Sequence, residues 1–305
     1  MAKRLTEKQV VLAKSGGTPG VADAVDLSAS FQPTYGTKTG QYKPKTGKMG
    51  GEKNYVVGEY LTVSGTLEAL LKSNGGGDTL PKLSQLLKMS GFDEAQDSTN
   101  GNVTYTPNSS EISDGQIVFY MDDAKREFTG VCVNLKIDFE VGAPAKASFD
   151  IQGYSTRPVE ESNPSVNLDC NELFIVDSVQ AVTVGGATLN LTRASFDMGN
   201  QINETYAIDQ KEFYRSDFAP KITLTDNAVK GDNAHWSDFL DGNIKAIEIV
   251  LTSKSGHKFT FSAPSCRYID LGEADDAGKV AITRTFALET ACGSGGGDNF
   301  SIKYE

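Results

Sequence analysis

Two histidines, four cysteines and a few paired carboxylates are the residues of this chain whose types could support catalysis or metal binding. His235 stands beside Trp236 in a short amphipathic stretch, and His257 flanks a Ser253-Lys254-Ser255-Gly256 turn. Neither has a partner at a ligand-like spacing such as H-E-x-x-H, so the first reads as a packing residue and the second as an exposed one. Cys132, Cys170, Cys266 and Cys292 are widely separated with no C-x-x-C pair. With no apolar leader after Met1-Ala2-Lys3-Arg4, they read as reduced and mostly buried thiols. Asp122-Asp123 and Asp275-Asp276 lack the surrounding D-x-[DN]-x-[DN]-G loop of a calcium site and read as hairpin-turn residues. Gly75-Gly76-Gly77-Asp78 and Gly295-Gly296-Gly297-Asp298 are not followed by a phosphate-binding helix and read as connectors. Catalysis needs an acid, base, nucleophile or metal held in one place. The chain therefore reads as a non-enzyme with no cofactor and no metal.

The 305 residues suffice for two modest domains or one large β domain, at roughly 100–200 residues per domain. The 29 Lys and Arg against 40 Asp and Glu give a formal net charge of −11, which argues against a duplex-coating protein. No run reaches the roughly 18 apolar residues of a membrane span. The reading is of a soluble, acidic, unexported chain with no membrane partner. Charge is unevenly spread: residues 1–160 hold 17 basic and 19 acidic groups, residues 161–305 hold 12 and 21. Against that trend, Lys38, Lys43, Lys45, Lys48 and Lys53 crowd the Gly-rich stretch 36–53 with only Glu52 as an acid. The glycines and Pro44 predict a long loop with neither helix nor strand. It is either a plain solvated loop or an arm reaching for an acidic neighbour.

Elsewhere the pattern is β. Val133, Leu135, Ile137 and Phe139 alternate with Asn134, Lys136, Asp138 and Glu140, a period of two that gives one buried and one wetted face. Strands at Ile117–Met121 and Glu127–Val131 flank the Asp122-Asp123-Ala124-Lys125 turn, and Gly142-Ala143-Pro144-Ala145 turns into a strand at Lys146–Tyr154. Helices are expected at 80–88, with Thr79 as N-cap and Pro81 just inside, and at Thr66–Leu71. The second half repeats the order. Ala246–Leu251, a turn, Lys258–Ser262, Cys266–Leu271, a turn and Lys279–Leu288 match 117–154. Lys221–Leu224 before a helix at Ala234–Leu240 matches Tyr60–Val63, and Leu189–Phe196 matches a strand at Leu27–Phe31. The extra helix and an Asp97–Ser110 loop lengthen the first half. Two domains are expected, 1–160 and 161–292, followed by a Gly-rich hinge and C-terminal arm over 293–305. The arm's Phe300–Tyr304 alternation suits either an added strand on a neighbour or a frayed end.

The order of short motifs resembles the tail tube proteins of long-tailed bacteriophages, in particular major tail tube proteins with two tandem tail-tube domains. Gln9–Lys14, Gly16-Gly17-Thr18-Pro19-Gly20 and Val25-Asp26-Leu27 resemble the family's opening. Tyr55-Val56-Val57-Gly58, Ser90-Gly91-Phe92, Thr104–Pro107 and Phe128-Thr129-Gly130-Val131 follow in family order. Asp197-Met198-Gly199-Asn200, Pro220–Leu224 and Phe261-Ser262-Ala263-Pro264 continue it. The resemblance implies a mainly β fold of two tandem β-sandwich or barrel domains, each with a short flanking helix. It implies a structural virion protein of the phage tail, made in the host cytoplasm. Its subunits would form stacked rings, trimers with pseudo-sixfold symmetry, around a conduit for DNA ejection. Partners would be further copies of itself, the tape measure protein, terminator and baseplate proteins, and DNA in transit. Under that reading Lys38, Lys43, Lys45, Lys48 and Lys53 are inter-ring contacts. Asn134, Lys136, Asp138, Glu140, Lys146, Asp150, Arg267, Asp270, Lys279 and Arg284 are candidates for the strands of the inner barrel. A terminator or baseplate hub ring protein, or a two-module β-sandwich that binds a host surface, are the alternatives.

Overall fold

Alternation of apolar and polar residues sets the architecture. In the computed structural model Val133, Leu135, Ile137 and Phe139 are at most 1% exposed, on a strand whose intervening residues reach water. The structure describes residues 5–45, 52–57, 60–109, 115–167, 170–177, 181–207, 211–229, 234–276, 278–290 and 296–305. The first half begins with β1 (Gln9–Ser15), β2 (Thr34–Gly36), β3 (Thr39–Tyr42), β4 (Lys53–Val56), β5 (Thr62–Leu70) and the helix α1 (Ser84–Met89). It continues through β6 (Phe92–Asp97), β7 (Asn102–Pro107), β8 (Gly115–Met121), β9 (Ala124–Glu140), β10 (Lys146–Ser155) and β11 (Val159–Glu160). The second half opens with β12 (Ala181–Val184), β13 (Ala187–Thr188), β14 (Leu191–Asp197), β15 (Asn200–Tyr206), β16 (Lys211–Phe218) and β17 (Lys221–Asn227). The helix α2 (Ala234–Asp241) then leads to β18 (Ile244–Thr252), β19 (Lys258–Asp276), β20 (Lys279–Leu288) and β21 (Ser301–Tyr304). The fold is mainly β and its ladders are antiparallel.

One order of pairing recurs. The first half reads β1-β8-β9-β10-β5-β2, and the second reads β12-β18-β19-β20-β17-β14. β11 lies on the start of β9, and β21 on the early part of β19. Both long strands carry a bulge, after which Cys132 faces Gln152 and Asp270 faces Thr285. The halves meet where β14 pairs with the end of β9, from Asp197 opposite Lys136 to Arg193 opposite Glu140. One apolar core runs through both halves. The β8–β9 turn places Asp122 (φ 45°) and Asp123 (φ 64°) in left-handed conformations, as a two-residue hairpin turn requires.

Several local expectations give way to tertiary pairing. Thr66–Leu71 is not a helix: 62–70 is one strand, with Val63, Leu67 and Ala69 buried along β10. Leu27–Phe31 is not a strand; Phe31 instead fills the core 5.2 Å from Phe119. The first helix starts at Ser84 rather than 80, so its N-cap is Leu83 and not Thr79. Much of the expected 97–110 loop is strand, since 102–107 pairs with both β6 and β21. The Gly-rich 36–53 stretch, expected to carry no strand, holds β3, which pairs with β4. Gly40 permits that pairing, because a Cβ there would lie 2.3 Å from the Tyr55 ring. His257 is only partly exposed and packs against the Gly76 turn.

Residues Ser301–Tyr304 of the C-terminal arm form a strand within their own chain. β21 inserts between β7 and β19 and so stitches the two halves together. Phe300 lies 5.6 Å from Phe92, 4.8 Å from Phe196 and 5.6 Å from Phe261. Phe300→Ala is therefore expected to destabilise the subunit by about 3–5 kcal/mol in chemical denaturation. An unchanged midpoint would mean that the arm does not dock.

Candidate functional site: a polar sheet face and two open edges

The run β5-β10-β9-β14-β17-β20 forms one continuous sheet with an apolar and a polar side. Pairing fixes the polar side into rows. Glu68, Ser148, Lys136, Asp197 and Lys221 lie side by side, and the next row runs Lys146, Asp138, Ser195, Thr223 and Thr285. A third row holds Glu140, Arg193, Thr225 and Thr283. Three of the four cations on this face pair with acids, and Lys221 is exposed with no ion pair among the described residues. Lys136 Nζ donates to Asp150 Oδ2 at 2.8 Å, Lys146 pairs with Glu68, and Arg193 lies 3.4 Å from Asp138. The Asp150 hydrogen bond raises the Lys136 pKa above its ordinary value, although burial acts the other way. Thr66 Oγ1 also donates to Asp150, at 2.6 Å. Asn134 Nδ2 donates to Asp197 Oδ1 at 2.9 Å across the seam between the halves. Five carboxylates and four cations leave the face close to neutral.

The residues expected on the inner strands divide into three sets. Asn134, Lys136, Asp138, Glu140, Lys146 and Asp150 stand together on this polar face. Arg267 and Asp270 extend the first two rows onto β19, opposite Ala287 and Thr285, and Lys279 opens β20; Arg267 pairs with Glu289 at 2.9 Å and holds the Gly242 carbonyl. Arg284 is on the opposite side, 6% exposed, donating to Asp226 at 2.9 Å inside the core. Glu68, Arg193, Asp197 and Lys221 were missed. Their strands alternate visibly, but nothing local says that β5, β14 and β17 adjoin β9 and β10.

The basic stretch splits as well. Lys38 lies within its own chain, 3.8 Å from the Tyr206 ring centroid, 4.3 Å from that of Tyr60 and 4.0 Å from Glu204. Lys43 and Lys45 are exposed beyond β3, and Lys53 is exposed on β4. Lys48 lies outside the described residues. Two sheet edges also stand out. Among the described residues β2 pairs only with β5, and beyond Arg267 β19 pairs only with β20.

The chemistry on offer is that of a surface. Among the described residues no group of three or more His, Cys, Asp or Glu could hold a metal ion, and no helix is long and apolar enough to cross a membrane. Cys132 and Cys266 are buried and Cys170 is exposed; Cys292 lies outside the described residues. A mainly β chain with a polar sheet face and unpaired sheet edges suits a structural role. The comparison with family models makes that specific: the phage tail tube protein family matches residues 22–290, and the chain belongs to that family. It is thus a structural, non-enzymatic protein of the bacteriophage tail. A search of curated proteins found no match.

The two kinds of ion pair should respond differently to mutation. Asp226→Asn, which strands the Arg284 charge in the core, is expected to cost about 3–5 kcal/mol. Lys136→Ala, on the wetted face, should cost no more than about 1 kcal/mol. Denaturant titration of the two variants checks the contrast, and equal losses would contradict it.

Proposed function

We propose that this tail tube protein assembles into stacked rings, trimers with pseudo-sixfold symmetry, whose joined sheets enclose the conduit for DNA ejection. The chain then consists of two tandem tail-tube domains, 1–160 and 161–292, followed by the 293–305 arm, whose strand Ser301–Tyr304 bridges β7 and β19. The supporting observation is the β9–β14 seam, where the end of one six-strand pairing series runs directly into the next. A sheet that continues across units in this manner leaves an open edge at each end. Head-to-tail closure into a ring removes those edges and the aggregation hazard that they carry.

The polar face would line the bore. Holding DNA requires cations free to replace its counterions, and here three of the four on the face, Lys136, Lys146 and Arg193, are engaged by carboxylates. Such a wall lets phosphates pass without gripping them. Rings would form in the host cytoplasm around the tape measure protein and end on terminator and baseplate proteins. Beyond β3, Lys43 and Lys45 would reach acidic surface on the adjacent ring.

Negative-stain images of the purified protein test this reading. Hollow filaments are expected, isolated rings would assign the chain to a terminator or hub, and monodisperse monomers would overturn the proposal. In the filaments, combining Asp138→Lys, Glu140→Lys and Asp150→Lys should create DNA retention that fades as salt rises, where the unaltered protein retains none. Stacking should also weaken with ionic strength, as the screening length falls from about 30 Å at 0.01 M to about 10 Å at 0.1 M. Filament length that ignores both salt and the Lys43→Gln/Lys45→Gln change would argue against the charged inter-ring contact.

A further inference from the structure

The seam inside the chain is a worked example of how one repeat holds the next. After β14 joins β9, the β15–β16 hairpin folds across the joint and grips the first half. Met198 N donates to Leu135 O at 2.9 Å, and Asn200 Nδ2 donates to the carbonyls of Ser90 and Val133 at 2.8 Å each. Phe213 lies against Tyr154 with ring centroids 5.0 Å apart, and its carbonyl accepts from Cys132 Sγ at 3.1 Å. Arg215 is 9% exposed and reaches the carbonyls of Gly91 and Asn108.

The first half has a hairpin at the same place, held at its base by Lys38 against Tyr206 and Glu204 but with its described strands largely exposed. β3 begins three residues after β2 ends, just as β15 begins three residues after β14 ends. Every residue of β4 is exposed, with Tyr55 at 55% and Val56 at 60%, and Tyr42 on β3 is at 52%. A two-stranded hairpin so bare is marginal alone in water. The surface that would receive it is also present and bare. On the second half it is the outer edge of β19 with the end of α2. Leu240, Ile244 and Ile269 are exposed there at 76%, 54% and 46%. Ile244 lies opposite Arg267, which also holds the Gly242 carbonyl at the end of α2, so helix end and strand edge adjoin. The charges are complementary. With Lys43 and Lys45 directed at the adjacent ring, Lys53 on β4 is the hairpin's charge for this edge, which carries Asp241, Asp270, Glu273 and Asp275.

We propose that the β3–β4 hairpin clasps the α2–β19 edge of a second copy of this chain, repeating between chains what β15–β16 does within one. This rests on the ring reading above and gives the lateral contact of that ring a register. The paired bulges align Asp270 with Cys132, and the β5 and β17 ladders align Gly36 with Asp197. Asp197 lies opposite Lys136 and Phe196 opposite Ile137. Transferring that register sets Gly36 opposite Ala274 and Tyr35 opposite Asp275 of the neighbour. One contact is not repeated. Gly242 O, the counterpart of Gly91 O, already accepts from Arg267, so at that point the clasp is apolar.

Disulfide trapping tests the register, because a bridge needs Cα atoms about 4.4–6.8 Å apart. Assembled Tyr35→Cys/Asp275→Cys protein is expected to give closed covalent oligomers on oxidation. Tyr35→Cys/Leu240→Cys and the two single variants should not. If unaltered protein forms filaments and the first pair does not cross-link, this contact is overturned while the tube reading stands. If unaltered protein stays monomeric, both fail. A second variant, Leu240→Asp/Ile244→Asp, alters only exposed side chains and should keep the melting temperature of the subunit while abolishing ring formation. Normal rings from that variant would also overturn the clasp.

Discussion

Backbone pairing between the end of β9 and β14 is the constraint on which the molecule turns. It commits the backbone groups of one half to those of the other, and it makes a single surface out of strands drawn from both. Because side chains alternate strictly along each strand, that pairing also decides which residues become neighbours on each side. Lys136 meets Asp197 on the polar side, and Ile137 meets Phe196 on the apolar side. A slip of one residue would exchange the two faces along the whole of β14.

The two faces handle charge in opposite ways. On the polar side Lys136 and Asp150 pair within reach of water, where such a bond contributes little to stability but neutralises a site that could hold phosphate. On the apolar side Arg284 and Asp226 pair under a nearly closed surface, where each charge depends on the other. The same chemical pairing thus tunes a surface in one place and secures a core in the other. The arm acts differently again. Phe300, Ile302 and Tyr304 bring aromatic and aliphatic area to a gap between β7 and β19, which makes the join between halves a matter of burial as well as hydrogen bonding.

Membership of the tail tube family agrees with a chain whose functional features are edges and faces rather than a pocket. A structural protein has no reacting centre to assemble, and on the proposed reading the residues that matter are spread over many strands.

What the chain encodes locally was legible in its residues. The period-two run around β9, the Asp122-Asp123 turn, a helix from Ala234 and the basic 36–53 stretch are all properties of near neighbours in sequence. Thr66–Leu71 misled because its intrinsic pattern suits a short helix, and only the adjacent β10 makes it a strand. Arg284 misled because a strand residue's side is set by its partners, which here bury it against Asp226. Which edges meet, where β21 inserts and how the polar rows line up were settled by the tertiary structure alone. The physical reason is that strand pairing uses backbone groups common to every residue, so a sequence specifies a strand's two faces well and its neighbours hardly at all.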